Sequence, residues 1–170
     1  MKIIEAMKQI KDLQIKAEDL KKKIQHNHAH LSYESPIYGA EQKNRIDEWL
    51  QGYSDILKEI LRLRVSVQKT NLSKDVTIEL GGKQVTKSIA EWIHRRRDLA
   101  TLEKSVWEIM NDKGLQEQRI KQSTNEILEV KILRYYEPAK RDEKIELFRS
   151  EPSKVDSTLE IINATTDLIE

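Results

Sequence analysis

Residues 3–24 read IIEAMKQIKDLQIKAEDLKKKI, with apolar side chains at Ile3, Ala6, Ile10, Leu13, Ala17, Leu20 and Ile24 in alternating steps of three and four. A spacing that averages about 3.5 residues keeps its stripe on one side of a helix only if the helix supercoils against a partner. A second run follows at Ile46, Trp49, Tyr53, Ile56, Ile60, Leu63 and Val67. Each helix would be roughly 35 Å long at about 1.5 Å per residue, and neither can bury its stripe alone. The two are expected to pair as an antiparallel hairpin, with HNHAHLSYESPIYG as the connecting turn.

Further along, Trp92, Leu99, Leu102, Val106 and Ile109 give a shorter, less regular run. It lies between a start at Thr86 to Ser88 and the stop NDKG, whose Gly114 can take the left-handed cap conformation. The seam breaks at HRRRD, where Arg95 occupies the next core position. Its stem either snorkels along the bundle edge or its guanidinium is buried against a carboxylate. The last run, Ile145, Phe148, Pro152, Val155, Leu159 and Ile162, keeps phase across the proline. That predicts a kink near Ser150, or a restart with Ser150 as cap, and the unbroken phase favours the kink.

Between the second and third helices, Val76, Ile78 and Leu80 alternate with polar residues before Gly81-Gly82, a hairpin pattern. EVKILRYY (129–136) is β-prone and is expected to add a third strand, because a lone hairpin is marginal in water. Residues 115–127 read either as helix or as loop. The predicted fold is mainly α, an elongated antiparallel coiled-coil or helical bundle with a small β-hairpin or three-stranded sheet at one end. It forms a single domain over 1–170, with helices at 1–26, 42–71, 88–113 and 138–164, a hairpin at 75–87 and a strand at 129–136.

Composition limits the function. Thirty Lys and Arg against 29 Asp and Glu leave a net charge of +1, with no field to hold a nucleic-acid backbone or an anionic membrane. The absence of cysteine excludes disulfides, thiolate zinc sites and cysteine nucleophiles, and fits a reducing compartment. The opening residues carry charges every few positions and contain neither a signal-peptide core nor a membrane span, so a cytoplasmic location, or a phage particle assembled there, is expected.

Three of the four histidines, His26, His28 and His30, fall within five positions and are the weak metal candidates. An extended loop would put them on one face, with Glu34 as a further ligand, whereas a continuing helix would fan them apart. HRRRD invites a phosphate-site reading, but on a helix these charges spread around the axis, which favours a structural role. GGK at 81–83 lacks the length and the following Ser or Thr of a phosphate loop. No nucleophile elbow, zinc helix or carboxylate pair in apolar sequence appears, so no enzyme and no cofactor is expected.

The element order, with EAMKQIKDLQ near the start, Thr70-Asn71 before the hairpin, Arg96-Arg97-Asp98-Leu99 after it and NATTDL at 163–168, resembles the DIP1984 family, bacterial proteins often labelled septicolysin. The resemblance covers most of the chain and singles out Thr70, Asn71, Arg96, Arg97, Asp98, Thr166 and Asp167. It implies a mostly helical fold; the label suggests a pore-forming toxin, but the sequence has no membrane-length apolar segment. The first loop differs from the family's, which makes the histidines private to this sequence. The expected function is a non-catalytic structural or interaction protein that forms a homo-oligomer or binds another helical protein. A metal-binding module or metal-dependent enzyme using the histidine loop is the alternative.

Overall fold

A computed structural model of the chain describes residues 1–121 and 127–169. It is mainly helical: α1 (Ile3–Asn27), a 3-10 turn (Gly39–Glu41), α2 (Gln42–Ser73), β1 (Asp75–Leu80), β2 (Lys83–Ser88), α3 (Ile89–His94), a π-helical turn (Arg95–Leu99), α4 (Ala100–Glu108), β3 (Gln118–Lys121), β4 (Ile127–Val130) and α5 (Pro138–Thr165). The chain divides into two compact units, Met1–Lys74 with Leu159–Glu170, and Asp75–Thr158.

In the first unit the predicted seams form as expected. All seven apolar positions of the α1 run are buried or half-buried, while Ile4, Met7 and Ile15 on the same helix stay exposed. The α2 run does the same and continues through Ser66 and Thr70. The helices are antiparallel. At one end Gln42 Nε2 donates to Asn27 O at 2.6 Å, and further along Gly52 lies against Leu20, where an added Cβ would sit 3.6 Å from its Cδ1. Helix α2 also carries a second stripe, Leu50, Leu57, Leu61, Val65 and Leu72, that the hairpin leaves exposed.

In the second unit, β1 and β2 pair antiparallel, with Leu80 opposite Lys83 and Gly81-Gly82 as the two-residue turn. Both glycines have positive φ, 57° and 76°, as a right-twisted two-residue hairpin turn requires. Val76, Ile78 and Leu80 are buried, and on the wet face Thr77 and Thr86 join hydroxyls at 2.7 Å. Two anchors explain why this hairpin needs no third strand. Trp92 Nε1 donates to Val76 O at 2.9 Å, and α5 approaches from its own side, with Lys154 Nζ donating to Glu79 O at 3.3 Å and Leu147 close to Gly81.

The strand expected at 129–136 is accordingly relocated. It spans Ile127–Val130 and pairs with Gln118–Lys121 in a separate two-stranded sheet. The predicted helix 88–113 is shorter. It starts within the expected Thr86 to Ser88 stretch, where Ser88 caps it, accepting from Glu91 N at 3.2 Å while its own N–H donates to Glu91 Oε2 at 2.8 Å. These bonds hold the Glu91 carboxyl below its ordinary value. The helix nevertheless ends at Glu108, and Gly114, with φ 87°, belongs to the turn beyond it. Its predicted seam is mostly solvent-facing: Trp92 is buried, but Leu99, Leu102, Val106 and Ile109 are exposed, and Ile89 and Ala100 take the core positions. The π turn is the reason. It adds a residue that the 3.6-residue repeat does not accommodate, and so rotates every later side chain. Helix α5 runs unbroken through Pro152, and Ser150 donates to Leu147 O at 3.0 Å, so it does not cap a restarted helix.

Candidate functional site

Arg95 opens the π turn, in a region where such turns frequently mark function. Its guanidinium meets two carboxylates. Nε and one terminal nitrogen donate to Glu151 at 2.6 and 2.7 Å, and the two terminal nitrogens donate to Glu103 at 2.9 and 3.0 Å. The Phe148 ring lies 5.7 Å from the guanidinium carbon. Glu151 is 1% exposed, and this burial decides the character of the site. A buried carboxylate is tolerable only with a partner of this quality. Glu103 is the outer member; its carboxyl sits below the ordinary range, chiefly because it accepts from Arg95. Arg95 is in turn held more firmly protonated by Glu151 and then Glu103.

Of the two alternatives for Arg95, burial against a carboxylate is the one found. Chemically the cluster is closed. Four donor contacts of a five-donor guanidinium go to protein carboxylates, which leaves little with which to clasp a phosphate or an oxyanion. It fixes the π turn of one helix on α5. Glu103 and Glu151 were not among the candidates in the sequence, because pairing across 56 residues leaves no local trace.

The neighbouring residues are peripheral. Arg96 pairs with Asp156 on α5 at 2.5 Å, and Arg97 with Asp98 at 3.5 Å. Asp98 Oδ1 is buried without a partner among the described residues, as is Asn71 Oδ1 in the other unit.

Thr70, Thr166 and Asp167 take part in a clasp within the first unit. Lys2 Nζ bonds Thr165 O and Asp167 Oδ2, each at 2.8 Å, while Ile3 N donates to Thr166 O at 3.1 Å and Leu168 N to Met1 O at 2.9 Å. The Lys2 bond keeps the Asp167 carboxyl below its ordinary value. Thr70, fully buried, donates to Ser66 O at 2.8 Å and accepts from Ile169 N at 2.9 Å. At the end of α2 the Ser73 hydroxyl donates to Thr70 O at 3.2 Å. Thr70→Val keeps the shape and removes both bonds, so we expect it to cost about 1–2 kcal/mol and to speed amide exchange at Ile169. Unchanged exchange at Ile169 would count against the clasp.

Of the three histidines only His26 lies within α1. His26 lies in the last turn of α1, with Nδ1 2.6 Å from Lys22 O; His28 follows as the cap, with Nδ1 2.9 Å from Gln25 O; and His30 lies beyond. Glu34 turns back to accept from Leu31 N at 3.0 Å. Among the described residues, no group of three or more His, Asp or Glu side chains is arranged to hold a metal ion. No described helix is long and apolar enough to cross a membrane.

No family model and no curated protein matches the chain. A solved structure does, that of a functionally unknown conserved protein from Corynebacterium diphtheriae. It is 16% identical, with a TM-score of 0.56 over 99% of both chains. At that identity the likeness establishes a shared fold.

Proposed function

We propose that this chain is a non-catalytic structural protein that self-assembles through its long heptad helices, and that it is a divergent relative of the DIP1984 family. A concrete version is a repeated subunit of a larger bacterial or phage assembly. The observation that carries the reading is the second stripe of α2. Leu50, Leu57, Leu61, Val65 and Leu72 are between 40% and 71% exposed, on a helix whose other stripe is already satisfied by α1. They recur over 22 residues, about 33 Å of helix, which is the geometry of a further helix-packing seam and more than scattered surface leucines would give. The closed Arg95 cluster supports the non-catalytic part. The two units share α5, which favours unfolding as one domain.

Light scattering on untagged protein over a concentration series tests the reading. We expect a multimer whose mass does not depend on concentration, and Leu61→Glu, a change at an exposed position, to lower that mass without loss of helicity. Metal content measured on the same sample addresses the histidine loop. A monomer at every concentration would overturn the proposal.

A further inference from the structure

The exposed stripe of α2 reads the same from either end. Its apolar positions, Leu50, Leu57, Leu61, Val65 and Leu72, are separated by seven, four, four and seven residues, so the spacing is symmetric about Leu61. The two polar positions in its gaps, Ser54 and Gln68, each stand seven residues from Leu61 and obey the same symmetry. At about 100° per residue all seven lie within about 40° of Leu61 around the helix axis, whereas Ile56 and Leu63 of the α1-facing run lie about 140° and 160° away. Leu50, Leu61 and Leu72 repeat every 11 residues, a period close to that of a straight helix, so the face drifts little along its length.

That symmetry selects the occupant. A two-fold contact brings residue i of one copy against j of the other and j against i, so apolar positions recur in mirrored order along an antiparallel helix pair. A stripe fitted to an unrelated helix carries no such constraint. With the axis at Leu61, Leu50 faces the partner's Leu72, Leu57 faces the partner's Val65, and Leu61 meets its own copy. Ser54 falls opposite the partner's Gln68, a short side chain against a long one.

The charges are compatible with this register. Asp55 pairs with Lys58 at 3.1 Å and Glu59 with Arg62 at 2.7 Å within each helix, so these four bring no net charge to the contact. Arg64 and Lys69 make no ion pair among the described residues. The register sets Lys69 about 3 Å along the axis from the partner's Asp55, on the same flank of the stripe. On the other flank the two Arg64 positions are held about 9 Å apart, close to a Debye length at physiological salt.

We propose that α2 packs antiparallel against α2 of a second copy, on a two-fold axis through Leu61. This rests on the self-assembly reading and gives it a partner, an orientation and a register. Such a contact closes on itself at two chains, so a larger particle would be built from these dimers through another surface.

The chain contains no cysteine, so introduced thiols report the register alone. Ser54→Cys and Gln68→Cys are changes at exposed positions that leave every apolar residue of the stripe in place. The two full-length variants are mixed, allowed to exchange subunits and mildly oxidised. We expect a disulfide between the two different chains, at roughly tenfold the yield of either variant alone, whose like sulfurs would stand about 21 Å apart and beyond disulfide reach. Leu61→Cys, on the axis, is expected to give a covalent dimer by itself. Like-with-like products from Ser54→Cys alone and from Gln68→Cys alone would show parallel helices and overturn the proposal. The wild-type mass separates the two levels of failure. A monomer at every concentration removes the self-assembly reading together with the two-fold contact, whereas a multimer without the mixed disulfide removes the two-fold contact alone.

Discussion

Replacing Glu151 by Ala should destabilise the chain by about 3–5 kcal/mol, the range for breaking a buried pair by removing one partner. At this chain length that is a fall in melting midpoint of roughly 10 °C. Glu151 is 1% exposed and takes two bonds from Arg95, so the variant leaves a cation over an emptied, buried site. Glu103 keeps its own two bonds to the guanidinium, which places the expected loss toward the low end of the range. The paired change Arg95→Met with Glu151→Leu should recover most of the loss, since two apolar side chains carry no desolvation cost. If Glu151→Ala melts like the parent, the cluster is not what holds the π turn on α5. The outer carboxylate, Glu103, has a pH signature. Glu103 has its folded carboxyl below the ordinary value of 4.5, so its contribution is complete above that value and is lost as pH falls through the folded one. Acid unfolding monitored by circular dichroism should therefore shift upward in pH for Glu103→Gln.

Trp92→Ala carries the second large effect, about 3–5 kcal/mol, as for other aromatic deletions in a packed core. Trp92 is the largest fully buried side chain, and it serves both as the floor of the β1–β2 hairpin and as a donor to Val76 O. The two roles separate experimentally. Trp92→Phe retains most of the ring and orphans the carbonyl, for an expected cost of about 1–2 kcal/mol. Urea denaturation of both variants decides the matter: equal losses would assign the stabilisation to the hydrogen bond, and a loss below about 1 kcal/mol for Ala would show that the hairpin is anchored elsewhere.

The clasp and the exposed stripes show how differently parts of this chain can be read. Thr70 bonds its own helix through Ser66 O, a contact between residues four apart in sequence. That the same hydroxyl receives Ile169, 99 residues away, is visible only once the termini are brought together. The histidines show the reverse: the loop that would have aligned them exists, but α1 continues through Asn27 and takes His26 into the helix.

The sequence by itself determined the α1–α2 hairpin and the β1–β2 turn. A 3.5-residue repeat and a Gly-Gly pair between alternating strands are one-dimensional signals, and their consequences are felt within a few residues. Everything that depends on distant partners was decided by tertiary structure. The pairing of Gln118–Lys121 with Ile127–Val130 drew the predicted strand away from the first hairpin, whose apolar face Trp92 and α5 had already covered. Above all, the tie between Arg95 and Glu151 accompanies a π turn that no local propensity encodes, and this one inserted residue separates a predicted core seam from an exposed stripe. Helical phase is cumulative: an error of one residue at the middle of a helix changes which side of every later turn meets water.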